Sequence, residues 1–157
     1  GSCSWNTMRA RHCNWVRLRD RKSGAEFRVL DIHLDHKSDD ARREQMKMIV
    51  GECAQYADGF PQIICGDFNS GIENAPVACL RDAGWQEAYE AVHGPGEAGF
   101  TYHGFKGPDY RKKNARRIDF IFVRGNLQPV AAEILRDKVD GLYPSDHYFL
   151  MADFIIQ

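Results

Sequence analysis

Between Ser38 and Cys65 the apolar period of the sequence changes once, and that change restricts the folds open to the chain. Met46, Ile49, Val50, Cys53 and Ala57 recur at i, i+3, i+4, i+7 and i+11, which predicts an amphipathic helix over 39–57. Ser38 stands where an N-cap belongs, and Asp39 and Asp40 put acids in the first turn, against the positive end of the helix dipole. Gly59-Phe60-Pro61 then stops the pattern, and Gln62-Ile63-Ile64-Cys65 follows as a short apolar run, the signature of a buried strand. A helix with one apolar face leading into a strand buried on both sides needs a sheet to pack on, so the chain reads as layered α/β or α+β.

The remaining segments agree. Residues 14–20 and 26–34 alternate apolar and polar positions around Arg21-Lys22-Ser23-Gly24, which predicts a hairpin. A second helix is expected over 74–83, with Pro76 in its first turn and Gly84 just beyond its end. Brief strands are expected at 100–103, 118–123, 130–135 and 147–156, with Gly-rich loops at 93–99 and 104–115. A length of 157 residues suits one domain. With 43% hydrophobic and 27% charged residues, disorder and collagen-like structure are excluded. No apolar run approaches the ~20 residues that span a bilayer. A net charge of −1 excludes a histone-like protein that binds nucleic acid by bulk charge. The five cysteines form no C-x-x-C pair and are expected as reduced thiols. The opening residues carry no signal-type apolar stretch and say nothing about where the natural protein is sent; the compartment is open, with a cytoplasmic setting as the expectation.

Three segments put polar groups at the ends of expected strands, where a scaffold holds them rigidly. In Gly66-Asp67-Phe68-Asn69-Ser70, extended backbone would point Asp67 and Asn69 to one side, an acceptor and an amide donor able to position a water and steady an oxyanion. The same residues would also serve as a strand-end turn bonded to local backbone. In Arg117-Ile118-Asp119-Phe120, a carboxylate enters an aromatic strand and needs a partner: either a catalytic His, or a structural pairing with Arg117 or Lys113. Ser145-Asp146-His147 offers a metal carboxylate beside a general base, or a solvated loop. His33 and His36, three apart on a strand, face opposite sides, so a metal site built from them with Asp67 is poorly formed.

Taken in order, these segments resemble the deoxyribonuclease-I-like endonuclease/exonuclease/phosphatase superfamily. GDFNS is similar to its G-D-F/L-N segment, RRIDFIFV to R-I/L-D-Y/F-I/L, and SDHYFLMADF to the closing S-D-H strand; Tyr148 departs from the usual small or Pro residue there. FRVLDIHLDH resembles bacterial members that read T-H-L-D-H, and the Trp5 region resembles the segment before the central hairpin, with Arg11 at a recurrent Arg. The resemblance runs over residues 1–157 as the C-terminal part of one such domain. It implies a four-layer α/β/β/α sandwich lacking its N-terminal portion, including an opening-strand Asn and a metal-binding Glu.

The resemblance further implies a hydrolase of phosphate esters, a phosphodiesterase, nuclease or phosphatase, that uses Mg²⁺ or Mn²⁺. It makes His147 the general base or a phosphate ligand, polarised by Asp119. Asp67 would orient the attacking water and Asn69 would stabilise the pentavalent phosphorus. His33 and Arg11 would contact phosphate oxygens, with His103 and Arg117 as further substrate contacts. Asp146 would hold the metal with the Glu outside this chain. Residues 9–28 carry seven cations against two acids, and 111–117 hold five cations in seven positions. Such stripes suit either a solvated face or an anionic substrate, a nucleic acid or a small phosphodiester. The rival expectation is a non-catalytic half-domain whose uncovered sheet docks a partner chain or a second copy of itself.

Overall fold

The hairpin forms where the alternation places it. In a computed structural model that describes residues 4–7, 9–96, 99–110, 113 and 115–157, β1 (Cys13–Arg19) pairs antiparallel with β2 (Glu26–His33). The turn between them is held by Asp20, whose carboxylate accepts N–H bonds from Lys22 and Ser23. Helix α1 (Asp39–Cys53) follows, with the Ser38 hydroxyl accepting the Ala41 N–H as an N-cap. It ends four residues earlier than its apolar period suggests. Met46, Ile49 and Cys53 are buried, but Ala57 lies beyond the last turn and is exposed.

The chain then returns as β3 (Gln62–Asp67), parallel to β2, with α1 as the crossover that parallel strands require. Helix α2 (Ala75–Asp82) has Asn74 at its N-cap and packs beside α1. Two elements absent from the sequence reading follow it, β4 (Gln86–Glu87) and α3 (Ala88–His93). β5 (Asp119–Arg124) inserts antiparallel between β3 and β4, giving a five-stranded sheet in the order β1-β2-β3-β5-β4. β6 (Leu127–Leu135) and β7 (Phe149–Ile156) form a second, two-stranded sheet. The fold is α+β, as expected.

One face of the large sheet carries Leu30, Ile32, Ile64, Phe120 and Phe122 and packs against Met46, Ile49, Val77 and Leu80 of the two helices. Phe68, fully buried, packs edge-on to Phe120 with ring centroids 5.2 Å apart. The opposite face carries Val16 and Leu18, both exposed, beside the half-buried Phe27, Val29, Ile63 and Ile121. Gly66 is fixed by backbone: its φ is +136°, and a Cβ there would fall on the Ile32 carbonyl oxygen. Its close approach lets β3 run tightly beside β2 up to Asp67.

The 100–103 segment does not form a strand. Tyr102 makes one isolated bridge to His147, because the neighbours of this stretch are loops and the start of β5 rather than a ladder partner. Cys13, Cys53, Cys65 and Cys79 are free, as expected for reduced thiols; Cys3 lies outside the described residues. Burial pushes the Cys53 thiol up to about 11, so it packs as a small apolar group. No helix among the described residues is long and apolar enough to cross a membrane.

Candidate active site

Register builds the site. His33 at the end of β2 lies opposite Asp67 at the end of β3, and Asp67 lies opposite Asp119 at the start of β5. Side chains alternate along strands, so these three share a face with Asp31, Cys65 and Ile121, the face away from the helices. His33 Nε2 stands 3.5 Å from Asp67 Oδ2. His147 reaches the same rung from the loop before β7, its Nδ1 2.8 Å from Asp119 Oδ2. Asp67, Asp119 and His147 offer ligand atoms within 4.8 Å of one another.

The electrostatics follow from that crowding. Burial, and then the charge of Asp119, raise the Asp67 carboxyl above the ordinary carboxylate range, against the N–H that Asn69 donates to Asp67 Oδ1 at 2.7 Å. The hydrogen bond to Asp119 raises His147 above the usual imidazole value, against the opposing effect of its burial. With Asp119 holding Nδ1–H, the lone pair of the imidazole sits on Nε2, the tautomer a general base needs. Two carboxylates on one rung, one already bonded to His147, leave Asp67 as a hard oxygen donor short of positive charge. That donor chemistry fits Mg²⁺ or Mn²⁺.

Other expected residues stand differently. Asn69 lies past the end of β3 at φ +49°, so it does not share an extended side with Asp67; its Nδ2 donates to the Leu34 carbonyl at 3.0 Å. Arg117 is 3% exposed and bonds both oxygens of the buried Glu87, which removes it from any substrate surface. His103 is fully buried and stacks on Tyr148 with centroids 4.2 Å apart, so it too is not a substrate contact. Desolvation pushes the imidazole below its usual value, against the pull of the nearby Asp146 charge. Arg11 Nη2 lies 3.1 Å from His36 Nδ1, and Arg11 and His33 both line a cavity of about 500 Å³. Asp146 stands outside the converging group, and its carbonyl accepts the N–H groups of His103 and Gly104. Of the cationic run, Arg111 and Lys112 lie outside the described residues; Arg116 is exposed.

One residue of the site escaped the sequence reading. Thr101, fully buried, accepts the N–H groups of Ile118 and Asp119 on its hydroxyl at 3.0 and 3.3 Å, and the Tyr148 N–H on its carbonyl at 2.9 Å. A lone Thr among aromatics carries no period that marks it in the sequence.

Residues 5–147 match the Endonuclease/Exonuclease/phosphatase family. The chain belongs to that family. Its fold recurs in solved structures. A conserved protein of unknown function from Enterococcus faecalis is 26% identical, with a TM-score of 0.80 over 92% of this chain and 56% of that one. Mannosyl-6-phosphatase of Bacteroides thetaiotaomicron is 22% identical, with a TM-score of 0.83 over 98% and 60%. The catalytic domain of human Nocturnin, bound to sulfate, is 22% identical, with a TM-score of 0.76 over 94% and 53%. This family member thus spans between 53% and 60% of the length of these structures. No curated protein matches the sequence.

Proposed function

We propose that the chain carries the catalytic rung of a divalent-metal-dependent hydrolase of phosphate esters, acting on a nucleic acid or a small phosphodiester. The observation that supports it best is the junction of the His33–Asp67–Asp119 register with the Asp119–His147 hydrogen bond. His147 Nε2 takes the proton of the attacking water, and Asp119 holds the ring in the required tautomer and stabilises the imidazolium. Asp67 orients that water, and the Asn69 N–H fixes the Asp67 carboxylate in place. With its amide nitrogen on Leu34, Asn69 steadies the carboxylate rather than the phosphorus. His33 and Arg11 present N–H donors to phosphate oxygens. Asp67, the oxygen donor of the converging group, would hold Mg²⁺ or Mn²⁺, which would supply Lewis-acid stabilisation of charge on the phosphoryl oxygens.

The test is hydrolysis of bis(p-nitrophenyl) phosphate with and without Mg²⁺, beside a thermal melt at each Mg²⁺ concentration. Mg²⁺ is expected to raise Tm in the wild type and not in Asp67→Asn, and Asp67→Asn is expected to lower the rate by about 10²-fold or more. Equal rates, or equal Mg²⁺ shifts, in the two proteins overturn the proposal.

A second reading rests on exposed apolar side chains of β1 and β7. Val16 and Leu18 are 52% and 44% exposed on β1, and Phe149, Met151 and Ile155 are 50%, 41% and 52% exposed on β7. Apolar surface of this kind favours association. Light scattering is expected to show a concentration-dependent rise in mass, which Val16→Lys and Leu18→Lys suppress; a monomer at every concentration refutes this reading.

A further inference from the structure

Asp119 at the start of β5 and His147 in the loop before β7 lie 28 residues apart in sequence, yet their side chains meet at 2.8 Å. A pair so placed keeps its geometry only if something fixes both backbones to a common point. Thr101 touches both. Its hydroxyl oxygen takes the N–H of Ile118 and of Asp119, where β5 begins, and its carbonyl takes the N–H of Tyr148, next to His147. The two following residues extend the contact. Tyr102 lies opposite His147 and sets its ring edge-on to the imidazole, centroids 5.1 Å apart. The backbone N–H of His103 donates to the Asp146 carbonyl at 2.8 Å. These two backbone bonds flank Tyr102 on a segment whose Thr101 and His103 are fully buried, so it has little room to shift.

We propose that Thr101 is a positioning residue that joins the start of β5 to the His147 loop and thereby sets the Asp119–His147 hydrogen bond. The inference adds to the hydrolase reading and rests on it for its kinetic consequence, though not for its structural one. Losing the hydroxyl leaves two N–H groups at the head of β5 without their acceptor and lets Asp119 move against His147. Misplacement on the ångström scale costs about 10²-fold in rate.

Thr101→Val removes the acceptor at nearly constant shape, and Thr101→Ser restores it. Each is made in the wild type and in His147→Ala, with kcat and KM measured on bis(p-nitrophenyl) phosphate and Mg²⁺. The histidine Nδ1–H resonance, assigned by its loss in His147→Ala, is recorded by NMR for each. Thr101→Val is expected to lower kcat about 10²-fold with KM little changed, to move the Nδ1–H resonance upfield, and to add nothing in the His147→Ala background. Thr101→Ser is expected to restore both signals. An unmoved resonance in Thr101→Val, or an equal kcat loss in the His147→Ala background, overturns the proposal. If Thr101→Val fails to fold, Thr101→Ser decides: a displaced resonance despite the retained hydroxyl overturns it. A wild type without hydrolysis but with the expected resonance pattern refutes the hydrolase reading and leaves the positioning role standing.

Discussion

His147→Ala is expected to lower kcat on a phosphate ester by about 10²–10⁴-fold, the range a positioned general base contributes. The fold should survive, because His147 is only half-buried and its partner Asp119 keeps its place at the head of β5. Asp119→Asn should fall into the same range by a different route: an amide in that place no longer demands Nδ1–H, so Nε2 loses its fixed lone pair. The pH profile separates the two carboxylates. Asp119 raises His147 above the ordinary value of 6.5, so the acid limb of kcat/KM should have its midpoint above 6.5 and move down in Asp119→Asn. The sign for stability runs the other way. The pairing stabilises the folded state fully below the unfolded imidazole value, and that contribution fades as pH rises through the folded value. Stopped-assay rates from pH 5 to 9, with melts on the same samples, check both. Wild-type kcat in His147→Ala would remove this residue from the chemistry.

Much of this site is written locally. Each of β2, β3 and β5 carries a polar residue at the end that reaches the site, so His33, Asp67 and Asp119 can be picked out without knowing which strands touch. Helix α1 is equally plain, since its cap, first-turn acids and apolar stripe all lie within 16 residues. Register is the part sequence cannot carry. That β5 runs antiparallel beside β3, placing Asp119 opposite Asp67, depends on pairing across more than 50 residues. Asn69 misleads for a local reason: i, i+2 spacing gives one side only while the backbone stays extended, and β3 ends at Asp67. Cations beside the Asp119 segment mislead for a non-local one. Arg117 sits next to Ile118-Asp119 in sequence, yet its partner Glu87 lies 30 residues upstream in a strand of two residues that no periodicity announces.

That buried pair gives the largest stability effect. Arg117 Nη1 and Nη2 bond Glu87 Oε1 and Oε2 at 3.0 and 3.2 Å, with side-chain exposures of 4% and 1%. The guanidinium carbon lies 4.7 Å from the Phe120 ring centre and 5.1 Å from that of Tyr89. Removing one member leaves the other charge buried without a partner, which costs about 3–5 kcal/mol. Glu87 also caps α3 by accepting the Glu90 N–H at 2.8 Å, so Glu87→Gln is the replacement that keeps an acceptor there. Arg117→Met keeps an apolar stem against Phe120. Each single change should lower the urea midpoint by an amount matching about 3–5 kcal/mol, while Arg117→Met with Glu87→Gln should lose well under the sum of the two single losses. KM for a phosphate ester should stay within about twofold in the double variant, since a buried guanidinium meets no substrate. A tenfold rise in KM with an unchanged midpoint would return Arg117 to the substrate surface where its sequence neighbours suggest it.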